Sequence, residues 1–361
     1  MIPLTLPATS DAEEAFVTRL RRAPRSTDPT LESVLIDEDA QGAIFSGVTG
    51  LISIDGATAD SLDGDVVLMQ PGAQRIERLI RADSPHNTLL VTERCDQLCV
   101  MCSQPPRKTH HDRFDLLEKS CLLADAGVLI GISGGEPTLY KERLLTMLER
   151  VLSRRPDLQF HVLSNAQHFD AADVERLRSP LYRNVSWGIP LYAAEPVLHD
   201  QIVGKIGAFE QLEQGFAHLM MAGARVELRT VLLQSNLEAL PGLARYVTAR
   251  LRFIEAWSIM QLEHIGFAKG RWSELYVDHR GQFELVGGAL DHAAMHGLSA
   301  QLFNFPRCSV PPAYRQYAIA SISDWKRKYA PACVGCREKA LCSGFFEWHP
   351  DEEAGRMVEP I

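Results

Sequence analysis

Residues 87–102 read NTLLVTERCDQLCVMC. A short extended run, Leu89, Leu90, Val91 and Thr92, leads straight into Cys95, Cys99 and Cys102, separated by three and then two residues. The pattern predicts a buried strand that ends in a metal-binding loop. Such a loop can wrap three thiolates around one face of an iron-sulfur cube and leave the fourth iron without a protein ligand, open for chemistry. Zinc with a fourth ligand from elsewhere is the competing reading. Coincidence is a poor account, because the chain has 8 cysteines in 361 residues and a second motif follows.

That motif is residues 131–138, GISGGEPT, after another apolar run at 128–132. A GGEP word alone is a turn. Behind a cysteine loop it gains meaning, since Gly134 and Gly135 let backbone come close to a ligand and Glu136 offers an acceptor to an ammonium group. Together the two motifs resemble the radical S-adenosylmethionine (radical SAM) superfamily. The resemblance implies a [4Fe-4S] cluster on Cys95, Cys99 and Cys102, with S-adenosylmethionine (SAM) chelating its open iron and the SAM amino group held by the turn of Gly134, Gly135 and Glu136. It implies reductive cleavage of SAM to a 5'-deoxyadenosyl radical that removes hydrogen from a substrate.

Other positions compare with the superfamily one by one. Ser164 and Asn165 match a pair that faces SAM after the third strand, with an Asx-type turn as the alternative for Asn165. Met101 replaces an aromatic residue before the third cysteine, and its thioether can still pack on adenine. Two further words depart from the pattern. Where the family often has Ser-Leu-Asp-Gly, this chain has Pro190, Leu191, Tyr192 and Ala193, and in HDQIVG (199–204) Val203 replaces arginine. The usual SAM-carboxylate contacts are thereby missing. Arg229 is the candidate replacement, an ordinary ion pair being the alternative.

The net charge of -9 and the absence of a compensating basic patch argue against a broad nucleic-acid surface. No apolar run approaches membrane-spanning length, and the first residues lack a secretory pattern, so a cytoplasmic protein without a membrane partner is expected. Cysteines grouped as three (Cys95, Cys99, Cys102) and four (Cys308, Cys333, Cys336, Cys342) fit metal sites in a reducing compartment better than disulfides. Cys121, in an expected helix at 116–126, reads as a buried thiol.

Residues 1–84 carry none of this chemistry. Ser10 and Glu13 have capping-box spacing and open an expected amphipathic helix, DAEEAFVTRLRR. The words GAIFSGVTGLISIDG and GDVVLMQPG then predict a small strand-rich accessory unit. From residue 85 to 300 the pattern alternates strand and helix, with strands at 88–92, 128–133, 160–164, 185–191, 225–232 and 256–262. Alternation of this kind predicts a parallel sheet with crossover helices, α/β in class. Six units match the partial (β/α)6 barrel of radical SAM enzymes, and barrel sites lie at the carboxyl ends of strands. An amphipathic helix is expected at 281–300.

Residues 301–361 form a cysteine-rich segment. Cys308, Cys333, Cys336 and Cys342 can close a four-ligand site, and zinc accepts such a set. The superfamily resemblance favours an auxiliary iron-sulfur cluster, as peptide-modifying members carry a terminal Cys-x2-Cys-x5-Cys word. Phe346 stands where many of them have another cysteine, which favours one auxiliary cluster over two. His349 is a possible but unnecessary ligand.

The combined words look most like the His-Xaa-Ser system radical SAM maturase, C-type. That resemblance implies a precursor peptide or His-Xaa-Ser repeat protein as substrate, a sister radical SAM maturase as partner and an electron donor. A radical SAM enzyme acting on a small-molecule or cofactor precursor is the alternative. A non-enzymatic iron-sulfur or zinc protein is the alternative from another class.

Overall fold

The alternation that begins at residue 87 is realised as seven parallel strands. The computed structural model describes residues 2–26, 28 and 30–361. The strands are β8 (Asn87–Thr92), β9 (Leu129–Gly134), β10 (Gln159–Leu163), β11 (Val185–Pro190), β12 (Arg225–Val231), β13 (Ala256–Met260) and β14 (Ser299–Phe303), hydrogen-bonded in sequential order. Between them run helices α2 (Phe114–Leu122), α3 (Lys141–Arg154), α4 (Ala171–Leu177), α5 (Pro196–Val203), α6 (Ala208–Ala222), α7 (Leu240–Arg250), the short α8 (Gly266–Gly270) and α9 (Trp272–Leu275), and α10 (Phe283–Met295). Right-handed crossovers between sequential strands put the helices on one face of the sheet.

The strand residues sort accordingly. Ile130, Ile132, Phe160, Val162, Trp187, Val226, Leu228, Trp257 and Ile259 are fully buried in one continuous core with the helices. Each fully buried aliphatic or phenyl side chain contributes roughly 1.5–3 kcal/mol. The alternate residues Ser133, His161, Leu163, Ser186, Glu227, Arg229 and Gln301 are only half-buried, so the other face is open and polar.

Six strands were expected and a seventh is present. The expected helix at 281–300 stops at Met295, where Gly297 adopts φ 71° and the Leu298 amide returns to the Ala293 carbonyl at 3.0 Å. A left-handed glycine closes the helix. The alternating residues Ser299–Phe303 then pair with β13 as β14.

Residues before the sheet form a closed barrel of β1 (Thr5–Ser10), β2 (Phe16–Arg21), β3 (Glu32–Glu38), β4 (Gly42–Gly47), β5 (Gly50–Asp55), β6 (Val66–Gln70) and β7 (Arg75–Ile80), with a single-turn α1 (Ala59–Leu62). Strands are therefore present where the Gly- and Asp-punctuated words put them, but the helix expected after Ser10 is strand β2. FVTRLR combines β-favouring residues with pairing to β6 on one side and β3 on the other, which outweighs the capping-box spacing.

The cysteine-rich segment has little regular structure beyond a two-residue ladder of β15 (Arg327–Lys328) with β16 (Phe345–Phe346) and helix α11 (Asp351–Met357). It docks through polar contacts to the segments flanking the sheet and through one bridge to its edge. Buried Arg81 pairs with Asp324 at 2.9 Å, and Ser84 donates to the same carboxylate at 2.9 Å. His279, with no exposed surface, meets Ser309 Oγ at 2.9 Å and the Gln261 amide at 3.1 Å. Along the outer edge of β14, Leu302 bridges to Ala318 and accepts from the Ile319 amide at 3.3 Å. Among the described residues no helix is long and apolar enough to cross a membrane.

Burial lowers His199, His279 and His349 to about 4 from an ordinary 6.5. A histidine kept neutral in the fold but free to protonate when unfolded adds stability above pH 6.5, and this is lost as pH falls toward 4. Urea unfolding should therefore show stability falling between pH 6.5 and 4. In His279→Gln the slope over that window should diminish by about one proton's worth, roughly 1.4 kcal/mol per pH unit. An unchanged slope would show that His279 is not held neutral.

Candidate functional site

The cysteine loop leaves β8 at the carboxyl end of the sheet, where parallel α/β folds place ligands. Its base is fixed by the GGE turn that follows β9. The Gly135 amide donates to the Thr92 carbonyl at 2.9 Å and the Glu136 amide to the Arg94 carbonyl at 2.7 Å. A Cβ on Gly134 would lie 2.3 Å from the Thr92 carbonyl oxygen, and one on Gly135 would lie 2.1 Å from that of Arg94. The two glycines thus admit the cysteine loop itself, which the sequence reading had assigned to a ligand.

Glu136, 1% exposed, spends its carboxylate on the protein. One oxygen accepts from the Thr138 amide (2.8 Å), the Thr138 hydroxyl (2.5 Å) and the Ser164 hydroxyl (2.8 Å), and the other from the Asn165 amide at 2.6 Å. Burial raises its pKa and these donors oppose the shift. Glu136, Ser164 and Asn165 are therefore brought together, as a bracket joining the ends of β9 and β10. The Asn165 side chain continues the bracket to Asp96 of the cysteine loop at 2.9 Å. Asn165 also makes an Asx-type contact, its Oδ1 accepting from the Gln167 amide at 3.1 Å.

The far side of the loop rests on α5. The Leu98 amide donates to the Val203 carbonyl (3.0 Å) and the Val100 amide to that of Ile202 (2.9 Å). Gly204, at φ 65°, ends α5 directly under the loop, where a Cβ would sit 2.5 Å from the Leu98 carbonyl oxygen. A third support is Gly266 at φ 58°, packed on the carbonyls of Cys102 and Ser103, with the Phe267 amide donating to Cys102 at 2.9 Å. Met101 is 6% exposed and packs with Tyr192, Ile202, Val203 and Leu262 beneath the loop.

Cys95, Cys99 and Cys102 are half-buried and lie close enough for Cys99 to sense both of the others. Burial pushes the Cys95 and Cys99 thiols up to about 12, and neighbouring cysteines act in the same direction. The Gln97 amide points at Cys95 Sγ, 3.4 Å away. Three sulfurs on one braced loop fit an iron-sulfur cluster. Among the described residues no three His, Cys, Asp or Glu side chains converge as ligands of one ion. A cluster does not ask for that, since each thiolate meets a different iron.

Arg229 lies on the open face over the Phe303 ring at 5.7 Å and is paired with Glu227 at 3.0 Å. His161 meets the same carboxylate at 2.7 Å, and Ser258 donates to it. Although burial pushes Glu227 up, these partners hold it at about 2. Gly188 makes the room, since a Cβ there would lie 2.9 Å from His161 Nε2 and 3.0 Å from Arg229 Cδ. The sequence reading missed Glu227 and His161, which lie on β12 and β10, either side of β11, at alternating positions that put them on the open face.

At the other end of the chain Cys308, Cys333, Cys336 and Cys342 line one pocket with Arg307, Tyr329 and Phe345. The amides of Arg307 (3.3 Å) and Gly344 (3.4 Å) point at Cys342 Sγ, an environment suited to a thiolate. His349 is not among the pocket's lining and stands 3.9 Å from Glu353.

No family model matches the chain, and no curated protein matches it. Among solved structures it is similar to SuiB of Streptococcus suis bound to S-adenosylmethionine, with 16% identity and a TM-score of 0.49 over 62% of this chain and 51% of SuiB. It is similar to anSMEcpe with bound AdoMet and the Cp18Cys peptide, with 12% identity and a TM-score of 0.46 over 59% of this chain and 62% of that one. A domain of pyruvate-formate lyase-activating enzyme from Bacteroides vulgatus matches at 16% identity and a TM-score of 0.38, over 49% of this chain and 99% of the domain. The chain spans about half the length of SuiB.

Gly135→Ala tests the seat of the loop. Iron bound after anaerobic reconstitution should fall, because the added methyl meets backbone that cannot rotate away. Gly288→Ala, where nothing lies within 4 Å of the new Cβ, is the control and should bind iron as the parent does. Equal iron in both variants would refute the packing argument.

Proposed function

We propose that the chain is a radical SAM enzyme that modifies a peptide or protein, with a His-Xaa-Ser repeat protein as the substrate class. The observation that carries this reading is the braced loop of Cys95, Cys99 and Cys102 at the carboxyl end of β8, seated on the GGE turn of β9. The open seven-stranded sheet serves as the superfamily's partial barrel. Residues 1–84 act as an accessory unit, 85–300 as the core and 301–361 as the auxiliary-cluster segment.

Cys95, Cys99 and Cys102 would hold a [4Fe-4S] cluster with an open iron, whose chemistry when bound would be one-electron reductive cleavage of SAM, the electron coming from an external donor. The chain's own residues orient and enclose. The Glu136 bracket fixes the wall beside the loop, and the carbonyls of the GGE turn take the ammonium-accepting role first given to the Glu136 carboxylate. Arg229 keeps Nε and Nη2 without hydrogen-bond partners among the described residues, so it can meet a carboxylate while Glu227 neutralises its charge. Met101 acts from below as the apolar floor for adenine. The four C-terminal cysteines would hold an auxiliary iron-sulfur cluster; an all-sulfur set suits zinc as well, and the superfamily resemblance is what favours the cluster.

The test is anaerobic reconstitution followed by reductant and SAM. The parent should bind roughly eight irons and release 5'-deoxyadenosine, and the Cys95, Cys99 and Cys102 triple alanine variant should keep roughly four irons and release none. Deoxyadenosine from the triple variant would overturn the reading. Adding a His-Xaa-Ser repeat peptide should raise release and change the peptide's mass. An unchanged peptide beside active SAM cleavage would favour a small-molecule substrate.

A further inference from the structure

Between Cys95 and Cys99 the chain carries Asp96, whose carboxylate is the meeting point of three elements. The Asn165 amide reaches it from the end of β10 at 2.9 Å, Lys205 Nζ from just past α5 at 2.5 Å, and His168 Nε2 at 3.3 Å. Lys205 is held in turn by Gln167 Oε1 at 2.7 Å, and its amide closes on the Asp200 carbonyl at 3.1 Å behind left-handed Gly204. Asp200 fixes the next turn by accepting from the amides of Gly207 (2.5 Å) and Phe209 (2.8 Å). The lysine is thus set by a rigid helix end. Val203, two residues before Lys205, is fully buried and carries no charge.

We propose that Asp96 and Lys205 are positioning residues that clamp the span from Cys95 to Cys99 in its ligating shape before any metal arrives. The assignment rests on the reading of Cys95, Cys99 and Cys102 as cluster ligands. A loop of half-buried thiols has no attraction of its own for a single conformation. A charge-assisted pair of about 23% exposure on each side supplies one, with Asn165 setting the direction of the carboxylate. The clamp and the backbone contacts of Leu98 and Val100 to α5 draw the loop toward the same helix end, so losing the first should loosen the second.

The test is hydrogen exchange on the full, metal-free chain. The amides of Leu98 and Val100 should exchange about tenfold or more faster in Lys205→Met, with β10 to β12 amides unchanged and protection restored in Lys205→Arg. After reconstitution, the Met variant should lose iron to a chelator about tenfold faster from the Cys95 site, and the Arg variant should not. Asp96→Asn should reproduce the Met variant if Lys205→Met fails to fold. Parent-like exchange and iron retention in both Lys205→Met and Asp96→Asn would overturn the clamp. A parent that takes no iron at Cys95, Cys99 and Cys102 would instead overturn the reading above, leaving the clamp to be judged by exchange alone.

Discussion

A carboxylate with almost no access to water organises the carboxyl end of the parallel sheet. Removing such a charge from solvent costs several kcal/mol unless donors replace the lost hydration. Glu136 receives four donors, from Thr138, Ser164 and Asn165. They come from the turn after β9 and the chain leaving β10, so satisfying the charge fixes two strand ends against each other. The amides of Gly135 and Glu136 then hold the chain leaving β8. One buried anion therefore determines where the cysteines begin.

The remaining supports act on the same loop from different directions. Left-handed glycines at 204 and 266 bring α5 and the chain after β13 into contact with its carbonyls. Each of these is a place where a methyl group would collide with backbone, so the residue type follows from the approach. Beneath the loop an apolar cluster around Met101 and Tyr192 excludes water. The cysteine loop is thus braced from the turn after β9, from α5, from the chain after β13 and from below, which preorganises it.

Much of this was legible in the sequence. The alternation of strand and helix after residue 85 is realised, with amphipathic helices such as Lys141–Arg154 and Leu240–Arg250 between the strands. The cysteine loop and GGE turn declared their position by following apolar runs. Two elements misled. Ser10 and Glu13 imitate a helix cap, yet the residues after them are a strand, since barrel closure is decided by partners distant in sequence. β14 was hidden because a helix and a strand are joined there by only a few residues around Gly297. At the site, residue types were visible but their obligations were not. Glu136, Ser164 and Asn165 were read separately as ligand contacts, and only their mutual distances show that they bind one another. Asp96 and Lys205 lie 109 positions apart, and nothing local announces the pair.

The outer edge of β14 has a further significance. A parallel sheet rich in buried aliphatic residues is a ready template for intermolecular pairing wherever a border strand is bare. Here the border is occupied by the stretch around Ala318, which belongs to the segment that also carries Cys308 and the three later cysteines. Whatever detaches that segment would therefore bare a sticky selvedge able to pair with another copy, so a local injury there would become a colloidal one.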